Sequence, residues 1–152
     1  MGKYFCAKLS GKVSVILYNS YVSSKQHAKI GYTTVNSKII VNGFDCDKFK
    51  PDELARKKLR NSLGIADSEV LIGHAARNHP MKDHFTFLYA ASILAKKIKN
   101  VRFILVGRGI DNQNKLLVNH LKNKELFGKV LMMGEFSKMP EFFASLDIFC
   151  LS

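Results

Sequence analysis

From residue 64 onward the chain alternates short apolar runs with amphipathic stretches. Residues 70–76 read as a strand in which Gly73 permits close packing. Residues 101–106 form the near-continuous apolar run of a strand that is covered on both faces. Between these strands, Asp83 is placed to cap a helix of about 15 residues. The alternation is typical of βαβ units and predicts a parallel sheet with helices on its faces.

The later part of the chain continues the same pattern. A second helix is predicted after Asp111, a strand over residues 129–133, a short helix capped by Ser137 and a last strand over residues 147–151. In the first predicted helix, the apolar side chains expected to face the core are Phe85, Leu88, Ala91, Ala95 and Ile98. The fold class is therefore α/β, with a doubly wound parallel sheet of the Rossmann-like type.

The first third of the chain differs from the rest. It predicts strands over residues 13–18 and 38–41, a helix over 21–30, and a further helix opened by Pro51. Two strands are too few for a domain, so this region is interpreted as the remnant of a preceding domain and its linker. The sheet also ends on a strand with no returning helix, which suggests that the domain itself is incomplete.

The net charge of +12 is concentrated near the start, where residues 1–62 hold twelve Lys and Arg against four Asp and Glu. Such an excess could attract anionic lipid, a phosphorylated substrate or nucleic acid, or could be an ordinary solvated surface. The cluster over residues 56–60 fits a solvated helix face. No zinc-finger, RNP-like or basic recognition-helix pattern supports binding to nucleic acid.

The three cysteines are widely spaced and show no metal-ligand pattern. An odd number without a pattern favours reduced thiols in a cytoplasmic protein, with Cys150 expected in the core. No apolar run approaches the roughly 18 residues needed to span a bilayer. No set of His, Cys, Asp and Glu suggests a bound metal.

Residues 76–84 join the end of a predicted strand to the start of a helix, which is where doubly wound folds bind ligands. Arg77 and Lys82 stand five positions apart on either side of Pro80, and two such cations could grip the phosphates of a diphosphate. The segment lacks the glycine and lysine pattern of a P-loop. Taken alone, the segment favours the simpler interpretation that Arg77 and Lys82 are two surface cations beside a loop.

The order and spacing of several segments resemble family 4 glycosyltransferases, retaining enzymes built from two facing Rossmann-like domains, especially bacterial members that build surface polysaccharide or lipopolysaccharide. The segments that carry the resemblance are residues 42–51, 76–84, 103–109, 133–135 and 146–152. The resemblance covers about residues 13–152. It implies that residues 1–42 are the end of an acceptor domain with its linker and that residues 43–152 belong to the nucleotide-sugar (donor) domain.

The resemblance also implies the roles of particular residues. Arg77 and Lys82 match the family's cations that contact the donor diphosphate of a UDP- or GDP-sugar. Further residues expected near the donor cleft are Gly107, Arg108, Gly134, Glu135 and Phe136. The implied enzyme is a retaining hexosyltransferase that needs no cofactor or tightly held metal. It would act on a glycan or lipid-linked acceptor, in the cytoplasm or at the inner surface of the membrane.

The sequence also departs from the family pattern. The paired glutamates of the family and its acceptor-domain residues are absent, so no catalytic residue is assigned and the chain alone is expected to be inactive. A non-catalytic remnant or interaction module, or less readily a basic nucleic-acid-binding domain, stays open as an alternative. Among the histidines, His27 and His74 are expected to be structural, whereas His79 and His84 are expected at the surface.

Overall fold

The computed structural model describes residues 2–124 and 126–151. The chain divides into two compact units, the first ending at Asp45 and the second beginning at Cys46. None of the helices in these described ranges combines the length and apolar character needed to cross a lipid bilayer.

The first unit is a small parallel βαβ arrangement. It contains helix α1 at Gly2–Leu9, strand β1 at Ile16–Tyr18, helix α2 at Tyr21–Lys29 and strand β2 at Ser37–Ile39. β1 and β2 pair in parallel, with Ile16 opposite Ser37. α2 begins after Ser20, whose hydroxyl accepts a hydrogen bond from the Ser23 N–H at 3.1 Å. The two strands and α2 follow the sequence prediction, whereas α1 was not predicted.

His27 has structural contacts inside this unit. Its Nδ1 lies 2.8 Å from the Ser23 carbonyl oxygen, and its ring packs against Tyr18 and Tyr32 with centroids 5.4 and 4.9 Å apart. These contacts agree with the structural role expected for this histidine.

The second unit contains a larger sheet with helices between its strands. The elements are α3 at Glu53–Ser62, β3 at Val70–Ala75, α4 at His84–Lys97, β4 at Val101–Val106, α5 at Lys115–Asn123, β5 at Val130–Met132, α6 at Met139–Ser145 and β6 at Ile148–Phe149. Asp52 caps α3 and Asn114 caps α5, each accepting a hydrogen bond from a backbone N–H in the first turn.

All neighbouring strands of this sheet are parallel, in the order β5–β4–β3–β6. The chain moves outward from β3 through β4 to β5 and then returns to place β6 on the other side of β3. The direction of winding therefore reverses at β3. In doubly wound folds, the crevice beyond the carboxyl ends of the strands at such a reversal is the usual ligand site. The predicted fold class is confirmed.

Two apolar clusters cover the two faces of the sheet. On one face, Phe103 and Leu105 of β4 pack with residues of α4 and α5, and on the other, Ile104 and Val106 pack with residues of α3 and α6. β4 is thus covered on both faces, as its unbroken apolar run predicts. A Cβ on Gly73 would lie 2.7 Å from the Cδ2 of Leu146, so this glycine does allow close packing.

Some local expectations are wrong. The buried side of α4 carries His84, Phe87, Leu88 and Ala91, while Phe85 and Ile98 are 47% and 38% exposed. The side of α4 that faces the core is therefore rotated by part of a helical turn from the side expected. Phe85 lies at the surface and packs against the ring of His120, with centroids 5.0 Å apart.

The start of α6 and the environment of Cys150 also differ from expectation. α6 follows Lys138 and has no side-chain cap, and Ser137 does not serve as one. Pro140 lies in the first turn and lacks an N–H, so fewer backbone donors there need a partner. Cys150 is exposed rather than buried, because it follows the short strand β6 at the edge of the described sheet.

The basic cluster of α3 is only partly a solvated face, since Lys57 and Lys58 are exposed but Arg56 and Arg60 are not. Arg60 is fully buried and donates hydrogen bonds to the carbonyls of Ser145, Ala66 and Glu69. Arg56 and Arg60 both pair with the carboxylate of Asp147, at 2.6 and 3.2 Å. These arginines attach α3 to the segment between α6 and β6, so they serve structure.

Candidate functional site

A cleft of about 530 Å³ opens at the carboxyl ends of β3 and β4 in the second unit. Its lining consists of Ala75, Ala76, Arg77, Val106, Gly107, Glu135, Phe136, Ser137 and Met139. Four of the predicted site residues, Arg77, Gly107, Glu135 and Phe136, therefore lie together. Ser137 and Met139 also line the cleft but were not predicted as site residues. A single serine or methionine in a sequence does not by itself indicate a ligand-binding position.

The remaining predicted residues lie in the same loops but outside this lining. Arg108 follows Gly107 and pairs loosely with Glu135, with Nε and Oε1 3.9 Å apart and both side chains more than 70% exposed. An ion pair this exposed contributes little to stability. Gly134 comes directly before Glu135, and Lys82 ends a 3₁₀ turn over Pro80–Lys82.

Backbone hydrogen bonds join the three loops that form the cleft. The N–H of Asn78 donates to the carbonyl of Arg108 at 2.8 Å, and the N–H of Gly107 donates to the carbonyl of Gly134 at 2.7 Å. The N–H of Gly134 in turn donates to the carbonyl of Ile110 at 2.7 Å. The three loops are therefore joined to one another by backbone contacts.

Gly107 is required by the close approach of two of these loops. Its φ is +145°, and a Cβ at this position would lie 2.9 Å from the N of Arg77 and closer still to the carbonyl of Ala76. Any side chain here would push the strand end that carries Arg77 away from β4.

Arg77 and Lys82 lie at the two ends of one short, ordered segment. Arg77 is exposed two residues beyond the end of β3, and Lys82 is partly buried just before α4. His79 caps the intervening turn, where its Nδ1 accepts a hydrogen bond from the Met81 N–H at 3.2 Å. The segment can thus present two cations toward an anion.

Asp83 closes this segment in the left-handed conformation, with φ of +37°. Its carboxylate accepts hydrogen bonds from the backbone N–H and the hydroxyl of Thr86, at 3.2 and 2.7 Å. The predicted cap is confirmed. Because this carboxylate already neutralises part of the positive helix end, attraction of an anion here depends mainly on Arg77 and Lys82.

Two buried histidines lie beneath the segment. His74 is 0% exposed, as expected of a core residue, but His84 is only 3% exposed, so the surface position predicted for it is wrong. Their rings meet edge to face with centroids 4.6 Å apart. His84 comes one residue after the cap Asp83 and lies on the buried side of α4. This position relative to the cap is the sequence signal from which its burial could have been predicted. His79 does lie outside the core.

Burial favours the neutral form of both rings. Burial, reinforced by the neighbouring His84, lowers the pKa of His74 to about 4. Burial also lowers the pKa of His84, against the opposing effect of its hydrogen bond to the carbonyl of Ala76. The positive charge of the segment therefore comes from Arg77 and Lys82.

Across residues 2–124 and 126–151, no three His, Cys, Asp or Glu residues are grouped so as to hold a metal ion. The chemistry that the described cleft offers is cation and backbone contact with an anionic ligand, beside an apolar wall that includes Phe136 and Met139.

Comparison with protein families gives a match to the model described as "Glycosyl transferases group 1" over residues 55–152, which is more than half of the chain. Among curated proteins, EpsF of Bacillus subtilis, which is named as a glycosyltransferase, is 29% identical over 113 residues. That alignment covers 74% of this chain and 29% of EpsF.

Solved structures include HepE of Anabaena, crystallised with UDP and with UDP-glucose. It is 27% identical, with a TM-score of 0.82 for the UDP-glucose complex, and the match covers 97% of this chain and 40% of HepE. A glycosyltransferase from Rickettsia africae has a TM-score of 0.80 at 19% identity, with the same coverage, and shows likeness of fold. The chain therefore spans less than half of the length of these relatives.

Proposed function

Because the chain belongs to the glycosyl transferases group 1 family, we propose that its second unit is the donor side of a glycosyltransferase and binds the diphosphate of a UDP-sugar through Arg77 and Lys82. The observation that carries the proposal is the cleft at the winding reversal of the sheet, with Arg77 in its lining. The crystals of HepE held UDP and UDP-glucose. This similarity supports a donor whose base is uracil over one whose base is guanine.

The chemical role of the two cations follows from charge. When a glycosidic bond to a nucleoside diphosphate breaks, negative charge builds on the leaving phosphate. Arg77 can make two parallel hydrogen bonds to phosphate oxygens, whereas Lys82 acts as a point charge. Cations already held in place stabilise that charge without reorganising during the reaction.

The finer assignments rest on the resemblance to family 4. They are a retaining hexosyl transfer, residues 1–42 as the end of an acceptor domain, and residues 43–152 as the donor domain. A glycan or lipid-linked acceptor in surface polysaccharide synthesis, at the cytoplasmic side of the membrane, fits the basic character of the chain. We expect the 152-residue chain alone to bind nucleotide without sustained transfer, because the family's paired glutamates are not in it.

Titration of the chain with UDP, UDP-glucose and GDP, followed by amide NMR, tests the proposal. UDP should shift the amide signals of residues 76–83, 107–109 and 134–137. Arg77→Ala and Lys82→Ala should each raise the dissociation constant for UDP by about tenfold, the loss expected for one charge-assisted hydrogen bond.

Lys97→Ala is the matched control. Lys97 is an exposed cation at the opposite end of α4, about 20 Å from the segment at the helical rise per residue. It should leave the affinity for UDP unchanged. Absence of UDP binding by the parent chain, or equal affinity in the Arg77 and Lys97 variants, would overturn the assignment.

A further inference from the structure

We propose that His74 and His84 are positioning residues that hold the two ends of the segment carrying Arg77 and Lys82 through their ring N–H groups. The consequence for affinity rests on the proposed function of that segment, but the positioning itself can be tested without nucleotide.

His84 fixes the beginning of the segment. It is the first residue of α4, and its side chain reaches back so that Nε2 lies 3.2 Å from the carbonyl oxygen of Ala76. Since a carbonyl only accepts, Nε2 must carry the hydrogen in the neutral ring. Ala76 is bonded directly to Arg77, so this contact sets the backbone from which the arginine projects.

His74 is assigned to the end of the segment. It lies in β3 opposite Leu105, and a hydrogen bond with the backbone of Lys82 partly offsets the lowering of its pKa by burial. The ring also packs against Phe87, with centroids 5.1 Å apart. One imidazole from the strand and one from the helix therefore hold opposite ends of residues 76–82, and the two rings pack against each other.

An apolar side chain would be the simpler occupant of either position. Both sites lie within the packed unit, and burying an imidazole costs free energy that leucine does not incur. Two neutral imidazoles in contact gain little from each other electrostatically. What they add over leucine is a donor for each of two carbonyls, and both carbonyls belong to the segment that carries the cations.

The link to binding is preorganisation. If the segment moves freely, ordering it costs binding free energy when the diphosphate arrives. A segment already held at both ends avoids that cost. The expected loss on removing a histidine is therefore weaker binding without a change in the residues that contact the ligand.

The test compares apolar and donor-retaining variants of the whole chain. His84→Leu removes the donor, whereas His84→Gln keeps an N–H at nearly the distance of Nε2. In His84→Leu, amide hydrogen exchange at Asn78, Lys82 and Asp83 should be about tenfold faster without nucleotide, while amides of β4 keep their rates. The dissociation constant for UDP should rise about tenfold in parallel.

His84→Gln should restore both exchange and affinity to within about threefold of the parent. His74→Leu and His74→Gln should behave as a second such pair. Unchanged loop exchange in both leucine variants, or glutamine variants no better than leucine, would overturn the proposal. If the parent binds no UDP, the proposed function fails, whereas the exchange rates still decide the positioning role.

The parent chain offers a check that needs no variant. Nitrogen-15 NMR of the imidazole rings should find His84 neutral near neutral pH with its hydrogen on Nε2. A hydrogen on Nδ1 instead would remove the bond to Ala76 and contradict the proposal, even if the leucine variants fail to fold.

Discussion

At the scale of single residues, the cleft depends on backbone geometry as much as on charged side chains. Gly107 lets the end of β4 approach the backbone of Ala76 and Arg77, and the bonds from Asn78 and Gly107 then join three loops. A glycine beside an arginine is a weak sequence signal on its own. In the structure, the glycine determines how near the arginine's strand end comes to the neighbouring loop.

Replacing Gly107 by alanine should therefore both strain and displace this region. We expect Gly107→Ala to lower the free energy of unfolding by about 3 kcal/mol, from the positive φ together with the clash on Ala76. Urea unfolding measures the change.

Gly128→Ala separates the two causes. Gly128 also has a positive φ, +86°, but a Cβ there would have no atom within 4 Å. This control should cost only about 1 kcal/mol. Equal losses in the two variants would mean that the close approach at Gly107 contributes nothing beyond backbone strain.

At the scale of elements, the strands and most helices could be predicted because their signals are local. The apolar runs of β3 and β4 and the cap at Asp83 each lie within a few residues of the element that they specify. The burial of Arg60 could not be predicted, because Ser145 and Asp147 lie more than 80 positions along the chain. Likewise, the position of Arg77 just beyond a strand end could be predicted from local sequence, whereas the partners of His84 depended on the fold.

The attachment of α3 to the segment before β6 is an electrostatic contact between distant parts of the sequence. Asp147 accepts hydrogen bonds from Arg56, Arg60 and the backbone N–H of Leu71. Burial alone would raise the pKa of Asp147, but these hydrogen bonds outweigh it and hold the pKa below its usual value. The ionised carboxylate therefore stabilises the folded state at any pH above its unfolded pKa.

Asp147→Asn should lower the free energy of unfolding near neutral pH by about 2 kcal/mol, the scale of hydrogen bonds to a charged group. The parent's advantage should disappear as the pH falls below about 4 through the lowered folded pKa, because Asp147 is then protonated. Denaturant unfolding at several pH values measures this.

Glu141→Gln is the matched control for Asp147→Asn. It removes a carboxylate that pairs only at 3.9 Å with the exposed Lys138. Such a pair should contribute less than about 1 kcal/mol. A loss in Asp147→Asn that is no larger than in Glu141→Gln, or that persists unchanged in acid, would contradict the role assigned to Asp147.

At the scale of the whole molecule, the net charge of +12 and the cation pair of Arg77 and Lys82 predict different kinds of anion binding. The overall charge attracts any polyanion, and that attraction is screened by salt over about 10 Å at moderate ionic strength. A diphosphate held by Arg77 and Lys82 would instead depend on direct contacts. The nucleic-acid alternative raised by composition can therefore be separated from the proposed function by salt dependence.

Raising the salt concentration from about 50 to about 200 mM should weaken binding of a short DNA duplex by at least about tenfold, because several counterions are released. UDP should lose less than about fivefold, since only two cations contact it. Arg77→Ala should raise the dissociation constant for UDP by about tenfold. It should leave the affinity for DNA nearly unchanged, because it removes one of 24 Lys and Arg residues. Fluorescence anisotropy with labelled DNA and calorimetry with UDP provide the two measurements. Equal salt sensitivity for both ligands, or equal losses of both in the Arg77 variant, would mean that UDP binds through the general charge of the molecule and not through the cleft.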